Sequence, residues 1–470
     1  MKKNVGIFKK ILWIVFIAVF SLQVGLAVVW AFSALQSVQG FYETEIYVQS
    51  IGRRTTDGWH LPGYSVLLFC IRRVFGFAEN AYLPGTYLFQ AAFSVFCFSE
   101  AVRSVVLTVT KRNLNYGYAL LAAVYIVTNP MIWQMQFALL PDAMCLAATV
   151  ILFAKLLELC RPQNSFRLYC LYVVAGALLL TGTYDYRYFY ACVSLSVVMS
   201  MIAVIRLWKK KALRREAYKV MFLTPTVLVL VSMIAAYYPA FVGIDGSYPR
   251  YSFSKDLMHR MVLPYFAEAN EHYSEEISVY LTEDMIVSAS SGETNFYTGF
   301  LPALEAEAGE NAENVNRQMI SETVRLHGKD IIKRILKEMA GYLFAPVSFV
   351  KYTYHSGNAQ FGYNLSRMWE QQPVLADFYT IIGTNGMCIF VLSSLLLTFA
   401  ELIIKKEKAG NILSVLGVLM CAVILVTFPK MLFAPIQIDY RVGLFALAAW
   451  NIAAVALLLK NPISGGKENG

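Results

Sequence analysis

The chain has 470 residues, of which 57% are hydrophobic and 15% are charged, and its mean hydropathy is +0.52. Soluble proteins carry about 25% charged residues, so this composition excludes an ordinary soluble protein. It predicts an all-α polytopic membrane protein, because a segment that crosses lipid must satisfy its own backbone hydrogen bonds. The net charge of +9 does not indicate nucleic-acid binding, since the basic residues fall in short loops between apolar runs.

Apolar runs long enough to cross a bilayer predict about ten transmembrane helices. They cover residues 11–32, 82–108, 116–132, 137–159, 168–183, 188–208, 218–242, 378–404, 412–428 and 442–459. The first run has an alternative reading as a cleaved signal peptide. It exceeds the usual apolar core of a signal, about 7–15 residues, so a retained helix is favoured.

The basic residues predict the orientation of these helices. With Met1 in the cytoplasm, every short basic cluster falls on the inner side, as the positive-inside rule requires. The clusters are Lys111 and Arg112, Arg161 and Arg167, residues 209–215, residues 405–408, and Lys460. The sequence therefore predicts a multi-pass protein of the cell membrane with both termini cytoplasmic, and a disordered tail after residue 460.

Three parts follow from this topology. Residues 1–242 form an N-terminal transmembrane module whose first outer loop is residues 33–80. Residues 243–376 form a modest extracytoplasmic insertion of mixed structure. Residues 377–470 form the last transmembrane helices and a short cytoplasmic tail.

Two amphipathic helices are expected outside the membrane. Residues 61–76 are apolar but are interrupted by Arg72 and Arg73, which favours a helix on the outer membrane surface over a span. Residues 313–342 have helical periodicity, and residues 341–350 are expected to re-enter the membrane or to lie on it. The face predicted for the second helix consists of Ile320, Val324, Ile331, Ile332 and Ile335.

Polar residues collect at the predicted outer ends of the helices. Carboxylates there are suited to accept a proton, and cations are suited to hold a phosphate. Charge kept against a bilayer is costly and usually functional. The candidates are Glu43, Glu45, Asp57, His60, Asp142, Arg187, Lys430, Asp439 and Arg441.

Several candidates have a structural alternative. Asp142 after Pro141 suits a helix N-cap, and Arg187 suits pairing with Asp185 or with lipid headgroups. Arg441 suits an interfacial anchor with Asp439 as its partner. His60 is more often a packing residue than a base. The eight cysteines lack paired spacing, and no metal-ligand spacing, phosphate loop or serine-nucleophile motif is present.

The order of these features resembles the GT-C superfamily of polytopic glycosyltransferases, and most closely its aminoarabinose and protein O-mannosyltransferase-like members. One span is followed by an acid and a tyrosine, then by Gly58-Trp59-x-x-Pro62, an amphipathic stretch ending in Phe75-Gly76, and a second span. Asp439-Tyr-Arg441 before the final helix is similar to the family's end motif. The chain has Glu43-Thr-Glu45 where many members have aspartate, and Pro62-Gly63 where they have Pro-Pro, which leaves the identity of the catalytic acid open.

The resemblance implies an inverting transfer of a sugar from a polyprenyl-phosphate-linked donor to a lipid, glycan or protein acceptor outside the cytoplasm. Glu43 or Glu45 would be the base, with Asp57 and His60 orienting it or the acceptor. Arg187 and Arg441, with Lys351 or Lys430, would hold the phosphate. No cofactor is implied for certain, and a need for a divalent metal is left open.

Two other classes of function fit the composition. A transporter or flippase of a lipid-linked or anionic solute would also use charges at membrane level, although here they gather at one face and not at the midplane. A non-catalytic subunit of an assembly or export system is the third class. Membrane lipids are expected partners in every case, and nucleic acid in none.

Overall fold

The computed structural model describes residues 2–34, 47–49, 51, 63–76, 81–110, 113–159, 253–291, 296–344, 374 and 439–459. Within these residues the chain forms helices joined by turns and contains no β-strand, so this part of the protein is all-α as expected. The predicted spans at 168–183, 188–208, 218–242, 378–404 and 412–428 lie outside the described residues.

The first part of the structure is a bundle of helices from both ends of the chain. Its members are α1 (Lys2–Ala34), α2 (Gly63–Phe75), α3 (Tyr82–Thr110), α4 (Tyr116–Val127), α5 (Pro130–Gln136), α6 (Asp142–Leu159) and, from the C-terminal part, the helix Asp439–Leu459. Helix α3 packs against α2, α4, α6 and the C-terminal helix. The C-terminal helix is apolar along its length and nearly all of its residues from Gly443 onward are buried, as expected for a helix surrounded by others.

Two predicted boundaries are wrong. The third predicted span, residues 116–132, ends at Val127, and the fourth begins at Asp142 and not at residue 137. The physical reason is Pro130, which lacks an amide hydrogen and disfavours a helical conformation for the residue before it. The chain therefore turns at Thr128 and Asn129 and starts the short helix α5.

One described stretch, Tyr82–Leu107, is long and apolar enough to cross a membrane, although a buried helix of a soluble protein passes the same test. Shorter apolar stretches occur at Trp13–Val29, Tyr116–Val127, Asp142–Ile151 and Gly443–Leu459. Large apolar side chains of α1 and α3 are exposed, among them Ile14, Phe32 and Leu88. These surfaces are compatible with a membrane location.

The predicted amphipathic helix at residues 61–76 is present as α2. Tyr64, Leu68 and Ile71 are buried on its inner face, while Val66 and Val74 are exposed. Helix α2 ends at Phe75, and the next residue, Gly76, has a φ of +103°, a conformation that glycine adopts without strain. Its position on the outer membrane surface stays a prediction.

The insertion has a hydrophobic core of its own, and its described residues 253–291 and 296–344 are helical and not mixed. In chain order it contains α7 (Phe253–Leu257), a π-helix (Met258–Val262), a 3-10 turn (Leu263–Tyr265), α8 (Phe266–Ala269), a 3-10 turn (Asn270–His272), α9 (Glu275–Ser278), α10 (Glu283–Ser290), a π-helix (Phe296–Phe300), α11 (Leu301–Ala308), a 3-10 turn (Gly309–Asn311) and α12 (Ala312–Phe344). Phe266, Phe296, Phe300 and Met319 lie at the centre of this core. The C-terminal helix Asp439–Leu459 is α13.

Helix α12 agrees with the predicted helix at residues 313–342, but the predicted apolar face is partly wrong. Ile331 is buried, whereas Ile332 and Val324 are exposed. Adjacent residues of a helix point about 100° apart, so Ile331 and Ile332 cannot share a face. A break in the helical backbone at His327 (φ −116°, ψ 16°) also turns the two halves relative to each other.

Candidate functional site

Tyr47, which follows the predicted acids Glu43 and Glu45 in the sequence, packs in the helix bundle. Its ring is fully buried and meets the ring of Tyr64 on α2 edge-on, with centroids 5.1 Å apart and planes at 83°. Edge-to-face contacts of this kind are favoured over face-to-face stacking. The contact joins Tyr47, in the predicted first outer loop, to the bundle.

A chain of buried hydrogen bonds continues from Tyr64 into the bundle. The Tyr64 hydroxyl donates to Oε1 of Gln90 on α3 at 2.7 Å. Nε2 of Gln90 donates to the carbonyls of Gln136 and Ala138 at 2.8 and 3.1 Å, and the Ser94 hydroxyl donates to Oε1 of Gln136 at 3.0 Å. We call Tyr47, Tyr64, Gln90, Ser94 and Gln136 the tyrosine–glutamine cluster.

The cluster satisfies backbone carbonyls at the turn between α5 and α6. A buried polar group without a hydrogen-bond partner lowers the stability by about 1–3 kcal/mol. The Gln90 amide donates to the carbonyls of Gln136 and Ala138, at the point where α5 ends and its backbone hydrogen bonds stop. Gln90 therefore fixes the turn that leads to Asp142, the first residue of α6.

Asp142 lies in the first turn of α6, where its charge is favourable toward the helix dipole. The amide of Cys145 donates to the Pro141 carbonyl at 2.8 Å, so Pro141 occupies the position at which a capping residue accepts the first helical hydrogen bond. The N-cap interpretation of Asp142 is therefore wrong by one residue. Its side chain is buried.

Tyr64 is a hydrogen-bond donor and not a base. Burial raises the pKa of its phenol well above the ordinary value, and electrostatic interactions with Tyr87 and Asp142 add to this effect. The hydroxyl thus keeps its proton at biological pH and donates a hydrogen bond to Gln90.

Two long-range contacts hold α1 against this region. Nε2 of Gln23 on α1 donates to the Tyr125 carbonyl and to the Thr128 hydroxyl at 2.6 and 3.0 Å. The indole of Trp133 on α5 donates to the Ala27 carbonyl at 2.9 Å. These bonds join the C-terminal half of α1 to the α4–α5 turn.

The structure describes few of the predicted site residues. Asp142 is placed beside the tyrosine–glutamine cluster. Asp439 and Arg441 lie in the first turn of α13, so they begin this helix and do not precede it. Seven candidates lie outside the described residues, and their roles stay predictions: Glu43, Glu45, Asp57, His60, Arg187, Lys351 and Lys430.

The sequence did contain a signal for part of the cluster. Thr86, Gln90 and Ser94 recur every four residues in the largely apolar first half of the span, so they lie on one face of α3. A polar row in such a span indicates a buried partner. The partners themselves are far away in sequence and could not be identified from periodicity.

Within the part of the chain that the structure describes, no three histidine, cysteine, aspartate or glutamate side chains are grouped closely enough to hold a metal ion. No protein-family model matches the chain, and neither a curated protein nor a solved structure matches it significantly.

Proposed function

We propose that this chain is an integral membrane glycosyltransferase with a GT-C-like layout of about ten transmembrane helices. It transfers a sugar from a polyprenyl-phosphate-linked donor to an acceptor outside the cytoplasm, in the cell envelope. The observation that supports it best is the burial of Tyr47 against Tyr64, beside the helix that begins with Asp142.

Tyr47 limits how far the predicted bases lie from that cluster. Glu45 precedes Tyr47 by two residues and Glu43 by four. An extended chain covers at most about 3.6 Å per residue, so the Glu45 backbone is within about 7 Å of the Tyr47 backbone and that of Glu43 within about 14 Å. This bound supports, as part of the proposal, a position of the acids near the end of the bundle at which α6 begins.

The proposed reaction is a single displacement. Glu43 or Glu45 accepts the proton of an acceptor hydroxyl while that oxygen forms a bond to the anomeric carbon of the sugar. The bond from this carbon to the phosphate oxygen breaks, and its electron pair leaves with the polyprenyl phosphate, so the anomeric centre is inverted. General-base assistance contributes about 10²–10⁴ in rate.

Cations complete the proposed site. Arg187 and Arg441, with Lys351 or Lys430, stabilise the departing phosphate, an effect that is often the largest in catalysis. Asp57 and His60 orient the base or the acceptor. Asp142, a buried carboxylate in the first turn of α6, binds hydroxyl groups of the sugar in this proposal.

The experiment that tests this proposal measures sugar transfer by Glu43→Gln and Glu45→Gln variants in membranes, using a panel of polyprenyl-phosphate sugars. Glu283→Gln, an exposed glutamate of the insertion, is the matched control. At least one of the first two variants is expected to lose transfer by about 10²-fold or more at normal expression. Full transfer by both would show that the proposed base is wrong.

A transporter or flippase is the alternative function, and Glu100 is the observation that bears on it. Glu100 is buried within the candidate span on α3, and charged groups in spans often mark transport pathways. Its carboxylate pairs with Nη1 of Arg103 at 2.8 Å, and the Arg103 guanidinium lies 3.6 Å from the centroid of the Tyr116 ring. Glu100 and Arg103 lie in the second half of the candidate span Tyr82–Leu107, with Glu100 about 8 Å along the helix from its centre, whereas transport sites occur near the midplane.

The two functions differ in their products. A transferase yields a sugar covalently bound to an acceptor, whereas a transporter moves the solute across the bilayer unchanged. The same reconstituted protein can be assayed for both.

A further inference from the structure

The second half of α12 carries apolar side chains that its neighbours do not cover. Ile332 and Leu336 are each 60% exposed, while Ile331 on the adjacent face is buried. Exposed apolar surface arranged along one helix face indicates a binding surface.

This face continues into the helix bundle at its C-terminal end. Leu343 follows Leu336 by seven residues, which is about two helical turns, so it lies on the same face as Leu336 and Ile332. Leu343 is buried in the core of the bundle, and its carbonyl accepts a hydrogen bond from the Trp450 indole on α13. One end of the apolar face thus contacts α13, which the sequence predicts to be a transmembrane helix.

The position of this contact along α13 limits where the exposed residues Ile332 and Leu336 can lie. Trp450 lies eleven residues after Asp439 at the start of α13, and Ile332 lies eleven residues before Leu343. At 1.5 Å per residue both distances are about 16 Å. The distance between Ile332 and Leu343 along the axis of α13 is largest if the two helices are parallel, and Ile332 is then about level with Asp439. Ile332 and Leu336 therefore lie within the length of α13.

Three lysines border the apolar face. Lys329, Lys333 and Lys337 are all exposed and recur every four residues, so they form a row along α12. Lys333 and Lys337 directly follow Ile332 and Leu336, and Lys329 and Lys333 precede them by three residues, so the row borders the apolar face. An apolar face with adjacent lysines suits the boundary between acyl chains and anionic headgroups, since lysine extends its ammonium to the water side.

We propose that this surface, consisting of Lys329, Ile332, Lys333, Leu336 and Lys337, binds anionic phospholipid in the outer leaflet and holds the insertion against the membrane. Ile332 and Leu336 contact acyl chains, and the lysines contact phosphate groups. The proposal depends on the membrane location of α13 and not on the transfer reaction, so an inactive protein would still show it.

The first test measures depth by spin labelling. Ile332→Cys, Leu336→Cys and, as the control, Val279→Cys are labelled in full-length protein whose native cysteines are replaced by serine, reconstituted in phosphatidylcholine bilayers. Val279 is 78% exposed on the insertion. Labels at 332 and 336 are expected to collide more with oxygen than with a water-soluble nickel chelate, and the label at 279 should show the opposite. If all three labels favour the chelate, or if those at 332 and 336 are shielded from both reagents by protein, the proposal is overturned.

A second test needs no cysteine replacement. A photo-crosslinking amino acid at position 336 of the otherwise native chain is expected to yield lipid adducts, detected by mass spectrometry, whereas the same group at 279 should yield none. Adding phosphatidylglycerol should raise the adduct yield at 336. The Lys333→Gln/Lys337→Gln variant should lower the apparent affinity for this lipid by about fivefold per lysine, and Arg317→Gln/Arg325→Gln, on the first half of α12, should not. No lipid adduct at 336, or equal effects of the two double variants, would contradict the proposal.

Discussion

The rings of Tyr47 and Tyr64 pack in an edge-to-face arrangement, with their centroids 5.1 Å apart, and both side chains are fully buried. Tyr64 continues through Gln90 to the turn that precedes Asp142. This relationship connects Tyr47, in the predicted first outer loop, to three helices of the bundle. It is the structural basis for expecting the acids of that loop near Asp142.

Removal of the Tyr47 ring should release the loop. Tyr47→Ala is expected to lower the free energy of unfolding by about 3–5 kcal/mol, as for other buried aromatic truncations, and to lower sugar transfer by about tenfold or more. Tyr47→Phe keeps the ring contact and should keep most of both. Thermal unfolding in detergent and transfer in membranes measure the two effects. Equal behaviour of the alanine variant and the wild type would show that the contact does not hold the loop.

Gln90 should be more important for stability than an ordinary polar residue. Gln90→Leu leaves the Tyr64 hydroxyl and the carbonyls of Gln136 and Ala138 without their partner, and each such group costs about 1–3 kcal/mol. In a double-mutant cycle with Tyr64→Phe, the combined variant is expected to be more stable than the sum of the single losses predicts. Strict additivity would argue against the hydrogen bond between Tyr64 and Gln90.

Asp142 offers a way to separate structure from function. If the only role of Asp142 is a favourable interaction with the dipole of α6, Asp142→Asn should lower the free energy of unfolding by about 0.3–1 kcal/mol and should leave sugar transfer nearly unchanged. The proposed function predicts instead a loss of transfer of about tenfold or more, with a raised KM for the sugar donor, at nearly unchanged thermal stability. Parallel measurement of the two quantities distinguishes the roles.

The raised pKa of Tyr273 predicts how the stability of the insertion changes at high pH. Burial raises the pKa of its phenol to about 12, while its hydrogen bond with Thr323 opposes the rise. The unfolded phenol, with an ordinary value of 10.0, loses its proton first, so the stabilisation is complete below that pH and is lost as the pH rises to about 12. The full loss is about 2–3 kcal/mol. Unfolding of the insertion, followed by hydrogen exchange, should depend less on pH in this range in Tyr273→Phe, and an unchanged dependence would contradict the assignment.

Local patterns in the sequence were sufficient for several elements. The amphipathic run with Arg72 and Arg73 predicted α2, and apolar length predicted α3 and α13 to within a few residues. The break before Pro130 was missed because the apolar run continues across it, although the proline itself disfavours a continuous helix there. Ile332 was assigned to the packed face because periodicity alone cannot show which side a neighbour covers.

The candidate site depends on contacts that periodicity does not encode. Tyr64 and Gln90 are 26 residues apart, and Gln90 and Gln136 are 46 apart. Their pairing follows from how the helices pack. The polar row on α3 could have indicated that a partner exists, but not which residue it is.

The most direct measurement of the central claim is an experimental structure of the full-length protein in a lipid bilayer with a bound polyprenyl phosphate. The proposed function predicts the phosphate against Arg187 or Arg441 in an outward-facing cavity, with the carboxylate of Glu43 or Glu45 opposite it. A lipid phosphate bound elsewhere, with both acids turned to bulk water and distant from the two arginines, would contradict it.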